Sequence, residues 1–331
     1  MKMRVAIYCL IAAAMFVPVA AQQPTPPGVP NAAPPPAATV APIRVYLRGG
    51  LKTHGEGQHD YPQFVADWSK ILMDRGAIVD GGLHWPTAQE LANIDVIVSY
   101  KGDSGYMTAS EKSVLEDYLK RGGGLVAFHD TICAEDPEWF STIYGGAKKH
   151  GQTNFTLEAK VPYTVVDKAS PIMQGFPDDL TIGDESFYLM TWSKAPLPEI
   201  HVLATTKIDD TPSARAGTGH VGEVVPQMWT YERTSQLGGQ PYRAFVWMQG
   251  HTYANFTNPA IQNMILRAIA WTGKRPIDQL LTVRPARGGG GGGRQGGRAG
   301  GAGAPGAPAG PGAGAPAAPA GGAGGRGAGR Q

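Results

Sequence analysis

Apolar positions in the first third of the chain follow two alternating periods. "IRVYLRGG" (43 to 50), a shorter run around Ile78, "DVIVSY" (95 to 100) and "GLVAF" (124 to 128) are short apolar stretches of strand length. Between them, Tyr61, Phe64, Val65, Trp68, Ile71 and Leu72 recur at helical spacing, as do Val114, Leu115, Tyr118 and Leu119. Thr87 with Glu90, and Thr108 with Glu111, have the spacing of capping boxes, and Gly122 ends the second helical run. Strands that alternate with helices predict a parallel sheet covered on both faces. Residues 154 to 240 are richer in β-branched residues, Pro and Gly, which predicts antiparallel additions and long loops. "RAFVWMQG" then returns to a strand, followed by a helix capped by Asn258, with Pro259 at its first position and a stripe of Ile261, Met264, Ile265 and Ala268. Trp271, on the same apolar helix, is expected in the core.

Composition marks off the ends. Residues 1 to 21 place Lys2 and Arg4 before an apolar run that closes on Val19-Ala20-Ala21, the layout of a signal peptide cleaved near Ala21/Gln22, and so predict a periplasmic or extracellular protein. Residues 22 to 41 form a Pro/Ala-rich linker, and residues 284 to 331 a Gly/Ala/Pro/Arg-rich tail expected to be disordered. One α/β domain is expected over residues 42 to 283, with no transmembrane segment after cleavage. Two of the 29 Lys and Arg fall in the leader and six after residue 283, so the domain sets 21 basic residues against all 27 acidic ones, a net of −6. An acidic domain with a weakly cationic tail fits contact with envelope polymers, and no nucleic-acid partner is expected.

Titratable residues cluster where the predicted strands end. His54 and His59 follow the first strand, His129 and Asp130 the central one, and His251 the last, so three chain-distant loops converge on one sheet edge. His150 in "GGAKKHGQ" and the Asp184-Glu185 pair in "IGDESFY" are further candidates whose placement the pattern leaves open. His84, His201 and His220 have no such placement. No G-x-S-x-G and no phosphate-binding glycine motif occurs, so a serine hydrolase elbow and a nucleotide cofactor are not expected. Cys133 lies beyond the strand end and reads as a structural thiol.

"GGGLVAFHD", "GGAKKHG", "DESFY", "MWTYE" and "QGHTYANF" followed by "AIAWTGK" resemble, in this order, the ThuA-like or trehalose-utilisation family over roughly residues 43 to 275. The resemblance implies a flavodoxin-like three-layer sandwich of the class I glutamine amidotransferase kind, with a mostly parallel sheet and antiparallel additions. In true amidotransferases a cysteine nucleophile occupies the turn after the central strand, where His129 stands here, so glutamine hydrolysis is not expected. The family is associated with sugar catabolism, particularly of 3-keto sugars. The reading is therefore a carbohydrate-active enzyme with His129, Asp184, Glu185 and His251 as catalytic residues, and His54, His59, Asp130, His150, Tyr188 and Trp229 as substrate-binding ones. A divalent ion, zinc foremost, is expected on His129, Glu185 and His251. A non-catalytic carbohydrate-binding or envelope-tethered module is the alternative. His129 is expected to face an open cleft, where its loss costs little stability.

Overall fold

In the computed structural model, residues 40–149, 155–194, 200–216, 219–234 and 238–284 are described. The leader, nearly all of the Pro/Ala segment, His150 and the Gly/Ala/Pro/Arg-rich tail after Arg284 lie outside them.

The expected alternation is present. β1 (Arg44–Arg48), α1 (Tyr61–Met73), β2 (Ile78–Gly82), the single turn α2 (Ala88–Leu91), β3 (Val96–Ser99), α3 (Ala109–Lys120) and β4 (Gly124–Phe128) follow in order. Thr87 caps α2 and Thr108 caps α3, each through a complete capping box. Gly122 takes φ 82° just past α3, a left-handed value that glycine adopts without penalty. The chain continues through α4 (Pro137–Tyr144), β5 (Gly146–Ala147), β6 (Phe155–Val165), β7 (Thr181–Phe187), β8 (Thr191–Trp192) and β9 (Ile200–Lys207). It closes with α5 (Pro212–Ala216), β10 (Val224–Thr234), β11 (Pro241–Trp247) and α6 (Pro259–Thr272), the last capped by the Asn258 side chain.

Among the described residues, nine strands form one sheet in the order β2-β1-β3-β4-β11-β10-β9-β6-β7. The first five are parallel, and β10, β9, β6 and β7 extend them antiparallel. This confirms the mostly parallel α/β sandwich with antiparallel additions. Strand residues divide by parity. Val45, Leu47, Val98, Val126 and Phe128 pack with Phe64, Trp68 and Leu72 of α1 and Ile261, Ile265 and Ile269 of α6. Tyr46, Ile97, Leu125 and Ala127 pack on the other face with Leu115 and Leu119 of α3 and Phe140 and Tyr144 of α4.

Trp271 departs from its expected place in the core. It is only half-buried, packed against the margin of that core, and the Arg243 guanidinium covers its ring at 4.7 Å. No helix among the described residues is long and apolar enough to cross a membrane.

Candidate functional site

Each parallel strand delivers a loop to the same edge. The loop after β1 carries His59 and is tied to the loop after β11: the His59 N–H donates to the His251 carbonyl at 3.1 Å, and the Tyr253 N–H to that of Gly57 at 2.8 Å. His129 is the first residue past β4 and takes φ 54°; His54 and His59 also lie at positive φ, at 64° and 46°. Left-handed backbone at a bulky residue costs of the order of 1 kcal/mol and persists where the surroundings over-determine it. At this turn the His129 imidazole lies against His59 and Phe187.

His59, His129 and His251 come together there, with one ligand atom from each lying within 4.8 Å of the others. His59 and His129 are buried and His251 is nearly so. The Nε2 atoms of His59 and His129 are 2.8 Å apart. Nδ1 of His129 faces the Met248 carbonyl at 3.3 Å, and a carbonyl only accepts, so that proton sits on Nδ1 and the Nε2 lone pair points into the cluster. Nδ1 of His59 is 3.0 Å from the Thr53 hydroxyl, which can donate or accept. The hydroxyl therefore lets His59 change tautomer without changing charge. Nδ1 of His251 is buried without a hydrogen-bond partner, 3.3 Å from Oε1 of Glu185.

Glu185 completes the cluster, with Oε2 3.7 Å from Nε2 of His129. Burial, reinforced by the charges of Asp130 and Asp184, pushes its carboxyl up to about 8, so it holds a proton at neutral pH. Burial and the neighbouring imidazoles push His59 down to about 2, and burial pushes His129 down to about 4; His251 is also lowered, by burial and then by His54. All three imidazoles are thus neutral, as metal ligation requires. Burial opposes ionisation of Asp130, but the positive charge that His129 and Lys148 can carry outweighs it and holds the carboxyl below the usual carboxylate range. With His129 neutral, the buried Lys148 ammonium, 2.9 Å from Asp130, is the partner that acts at neutral pH.

Asp184, expected as a catalytic residue, is bound on both oxygens by the loop after β11. Its carboxylate accepts the N–H groups of Gly250, His251 and Thr252 at 3.1 to 3.2 Å and the Asn255 amide at 2.7 Å. These bonds engage both oxygens, so Asp184 anchors the loop that presents His251. His54 lies exposed on the rim, its ring 4.0 Å from that of His59 and 5.4 Å from that of His251. A cleft of about 540 Å³ opens beside the cluster, lined by His54, His59, Tyr61, Lys101 and Asp130 among others.

Tyr188 and Trp229, expected to bind substrate, are both buried away from the cleft. Trp229 is wholly buried, and its indole N–H donates to the Tyr144 carbonyl at 2.8 Å. Tyr188 is buried against Ile208, Ala214 and Val225 and stacks on His220. His129 does not face an open cleft either: it has no exposed surface. Cys133 is buried, and burial together with Asp130 pushes its thiol well above the usual range, so it is no thiolate nucleophile. The sequence reading placed the three imidazole loops but missed His59 as a potential metal ligand and did not single out Thr53 or Lys148. Only the convergence of loops at strand ends could have signalled His59.

A family model described as ThuA, trehalose utilisation, matches residues 51–272. The chain belongs to the ThuA family. Its fold is shared with solved ThuA-like proteins from Bacteroides uniformis (19% identity, covering 76% of this chain and 100% of that one, TM-score 0.53) and Parabacteroides merdae (17% identity, 70% and 90%, TM-score 0.52). None of the curated proteins matches this chain. Membership of the ThuA family carries a carbohydrate-related role.

Two stability measurements test the site of this ThuA protein. Glu185 has a raised folded-state pKa, so the stability it contributes is full below its unfolded value and lost as pH rises through about 8. The lowered histidines act in the opposite sense, and only below their unfolded value of about 6.5. Chelator-treated protein should therefore lose about 2 kcal/mol of stability between pH 6.5 and 8, read by urea denaturation, and Glu185→Gln should flatten that limb. His129→Ala should cost about 2 kcal/mol or more, because it empties a buried site and leaves Nε2 of His59 without a partner, whereas His251→Ala should cost less than half as much. A near-native His129→Ala would show that the cluster is loosely packed.

Proposed function

We propose that this ThuA-family protein is an enzyme that transforms a keto sugar or a glycoside by proton transfer at a divalent metal centre. The observation that carries the reading is the convergence of three neutral imidazoles on a buried, protonated carboxyl beside a cleft. His59, His129 and His251 would hold the ion, and His251 Nδ1, buried without a hydrogen bond, suits a metal better than a purely structural role. Zinc there would supply Lewis acidity towards a sugar carbonyl or hydroxyl.

The chain supplies the remaining parts. Glu185 holds a proton that it can deliver to a sugar oxygen; once ionised, it is a base for the acidified hydrogen beside a 3-keto group. Lys148 keeps Asp130 ionised at the cleft, where a carboxylate can accept sugar hydroxyls. Asp184 fixes the backbone behind His251, which keeps that imidazole aligned as protons move. The buried, protonated Cys133 gives glutamine hydrolysis no support.

Metal analysis of purified protein, with turnover of 3-keto-trehalose and related 3-keto-glycosides measured before and after chelation, tests the reading. One zinc per chain is expected, with turnover lost on chelation and restored by zinc. Glu185→Gln should keep the metal and lower kcat at least 100-fold. Full turnover in protein shown to be free of metal would overturn the metal centre.

The proposal also places the activity outside the cytoplasm, on the strength of the basic and apolar first 21 residues alone. N-terminal sequencing of the protein from its native host should begin at Gln22. A chain that retains Met1 would refute export.

A further inference from the structure

The cleft beside the imidazoles has side chains of two unlike kinds on its walls. Gly50 and Gly102 line it between the polar ones. A Cβ at Gly50 would meet Lys101 Cγ at 2.9 Å and Tyr61 Cδ2 at 3.2 Å, and one at Gly102 would meet the Tyr61 hydroxyl oxygen at 3.2 Å and Asp130 Cβ at 3.8 Å. Lys101, Tyr61 and Asp130 are therefore neighbours, and with His54 and His59 they offer a sugar both donors and acceptors.

Two leucines line the same cleft. Leu83 follows β2 and Leu51 follows Gly50, and they are 43% and 75% exposed. Their loops are tied together, because the Gly49 N–H donates to the Gly82 carbonyl at 3.0 Å. A Cβ at Gly49 would meet Leu83 Cδ2 at 3.1 Å and Val65 Cγ2 at 2.6 Å, so the Leu83 side chain stands beside Val65 of α1. Neither leucine belongs to the cores on the two sheet faces, and their exposure serves no packing there. A single exposed leucine is ordinary, but two from the loops of different strands, in one concavity that also holds the polar groups, are what an amphipathic ligand requires. The space of about 540 Å³ is that of a small-molecule site, and concavity favours such a ligand over a flat contact with a second copy of the chain.

We propose that Leu51 and Leu83 form an aglycone subsite of the cleft and that the substrate is a glycoside whose aglycone is apolar. The inference rests on the carbohydrate reading above and adds what the sugar is joined to. The sugar lies against Lys101, Tyr61 and Asp130, where its hydroxyls find partners, and the aglycone removes the two leucines from water. A free sugar would leave both leucines exposed, and so would forgo that part of the binding free energy.

Calorimetric titration of the full chain with phenyl, hexyl and methyl D-glucosides, each as the α and the β anomer, tests this, with phenol as the control for the ring alone. For one anomer, the phenyl or hexyl glucoside should bind about ten-fold or more tightly than the methyl glucoside, and phenol should bind more weakly than the phenyl glucoside. Leu51→Ser, at a mostly exposed position, should melt at the wild-type temperature, leave methyl glucoside binding unchanged and narrow the preference about three-fold or more. Leu83→Ser should act in the same way, and the double variant should abolish the preference; Leu51→Ser carries the test if Leu83→Ser fails to fold. Equal binding of all the glucosides, no binding of any, phenol bound as tightly as its glucoside, or a preference that survives both substitutions would overturn the subsite. Self-association that the double variant abolishes, without any aglycone preference, would assign the leucines to a contact between copies instead. Zinc content and turnover of the same preparations keep the two readings apart. Aglycone preference without zinc or turnover defeats only the metal-centre enzyme, and turnover with zinc but without aglycone preference defeats only the subsite.

Discussion

One carboxylate joins the two halves of the sheet. Asp184 sits on β7, the outermost antiparallel strand, and receives the backbone N–H groups of Gly250, His251 and Thr252 in the loop after β11. In sheet order these strands are four steps apart, about 19 Å in a flat sheet. The antiparallel extension must curl back for the bonds to form, and the register breaks in β10, between Pro226 and Met228 and again before Trp229, together with the one in β6 between Thr156 and Ala159, supply local bends. A chain of buried amides holds the curl closed. Gln227 bonds both the N–H and the carbonyl of Phe187, Gln249 bonds Gln227 and the Glu185 carbonyl, and Tyr163 links Gln249 to Trp247.

That constraint explains the chemistry of Glu185. The residue that follows the anchor points into the imidazole cluster, in a place dry enough to keep its carboxyl protonated. Burial raises Asp184 as well, to about 6, even though its oxygens are engaged by hydrogen bonds. The two neighbouring carboxyls thus divide their roles by environment: one is held by backbone donors, and the other is left to exchange a proton with imidazoles. The left-handed turn at His129 and the Thr53 hydroxyl behind His59 aim the remaining groups at the same point.

The five parallel strands contribute differently. They bring His59, His129 and His251 to one edge by topology alone, and the crevice between β1 and β3 supplies the cleft in front of them. Arg48 belongs to this part of the molecule, as a charge kept at a strand end where an apolar residue would serve packing better.

The sequence by itself determined the parallel half. Its two apolar periods, the capping boxes at Thr87 and Thr108 and the Asn258-Pro259 start of α6 are local signals that need no distant partner, and the connection rules for parallel strands then send every following loop to the same edge. His129, His251 and His59 were legible as neighbours for that reason. What only the tertiary structure decided lies in the antiparallel half and in the fine facing of side chains. The position of Glu185 depends on strand bulges and buried amides far apart in the chain. Trp229 is buried because both faces of β10 are covered, with Met228 facing one core and Trp229 the other, and the Arg48 that looks like an ordinary end to "IRVYLRGG" is seen to be buried, without a hydrogen-bond partner at Nε or Nη1, only once Trp85 covers it.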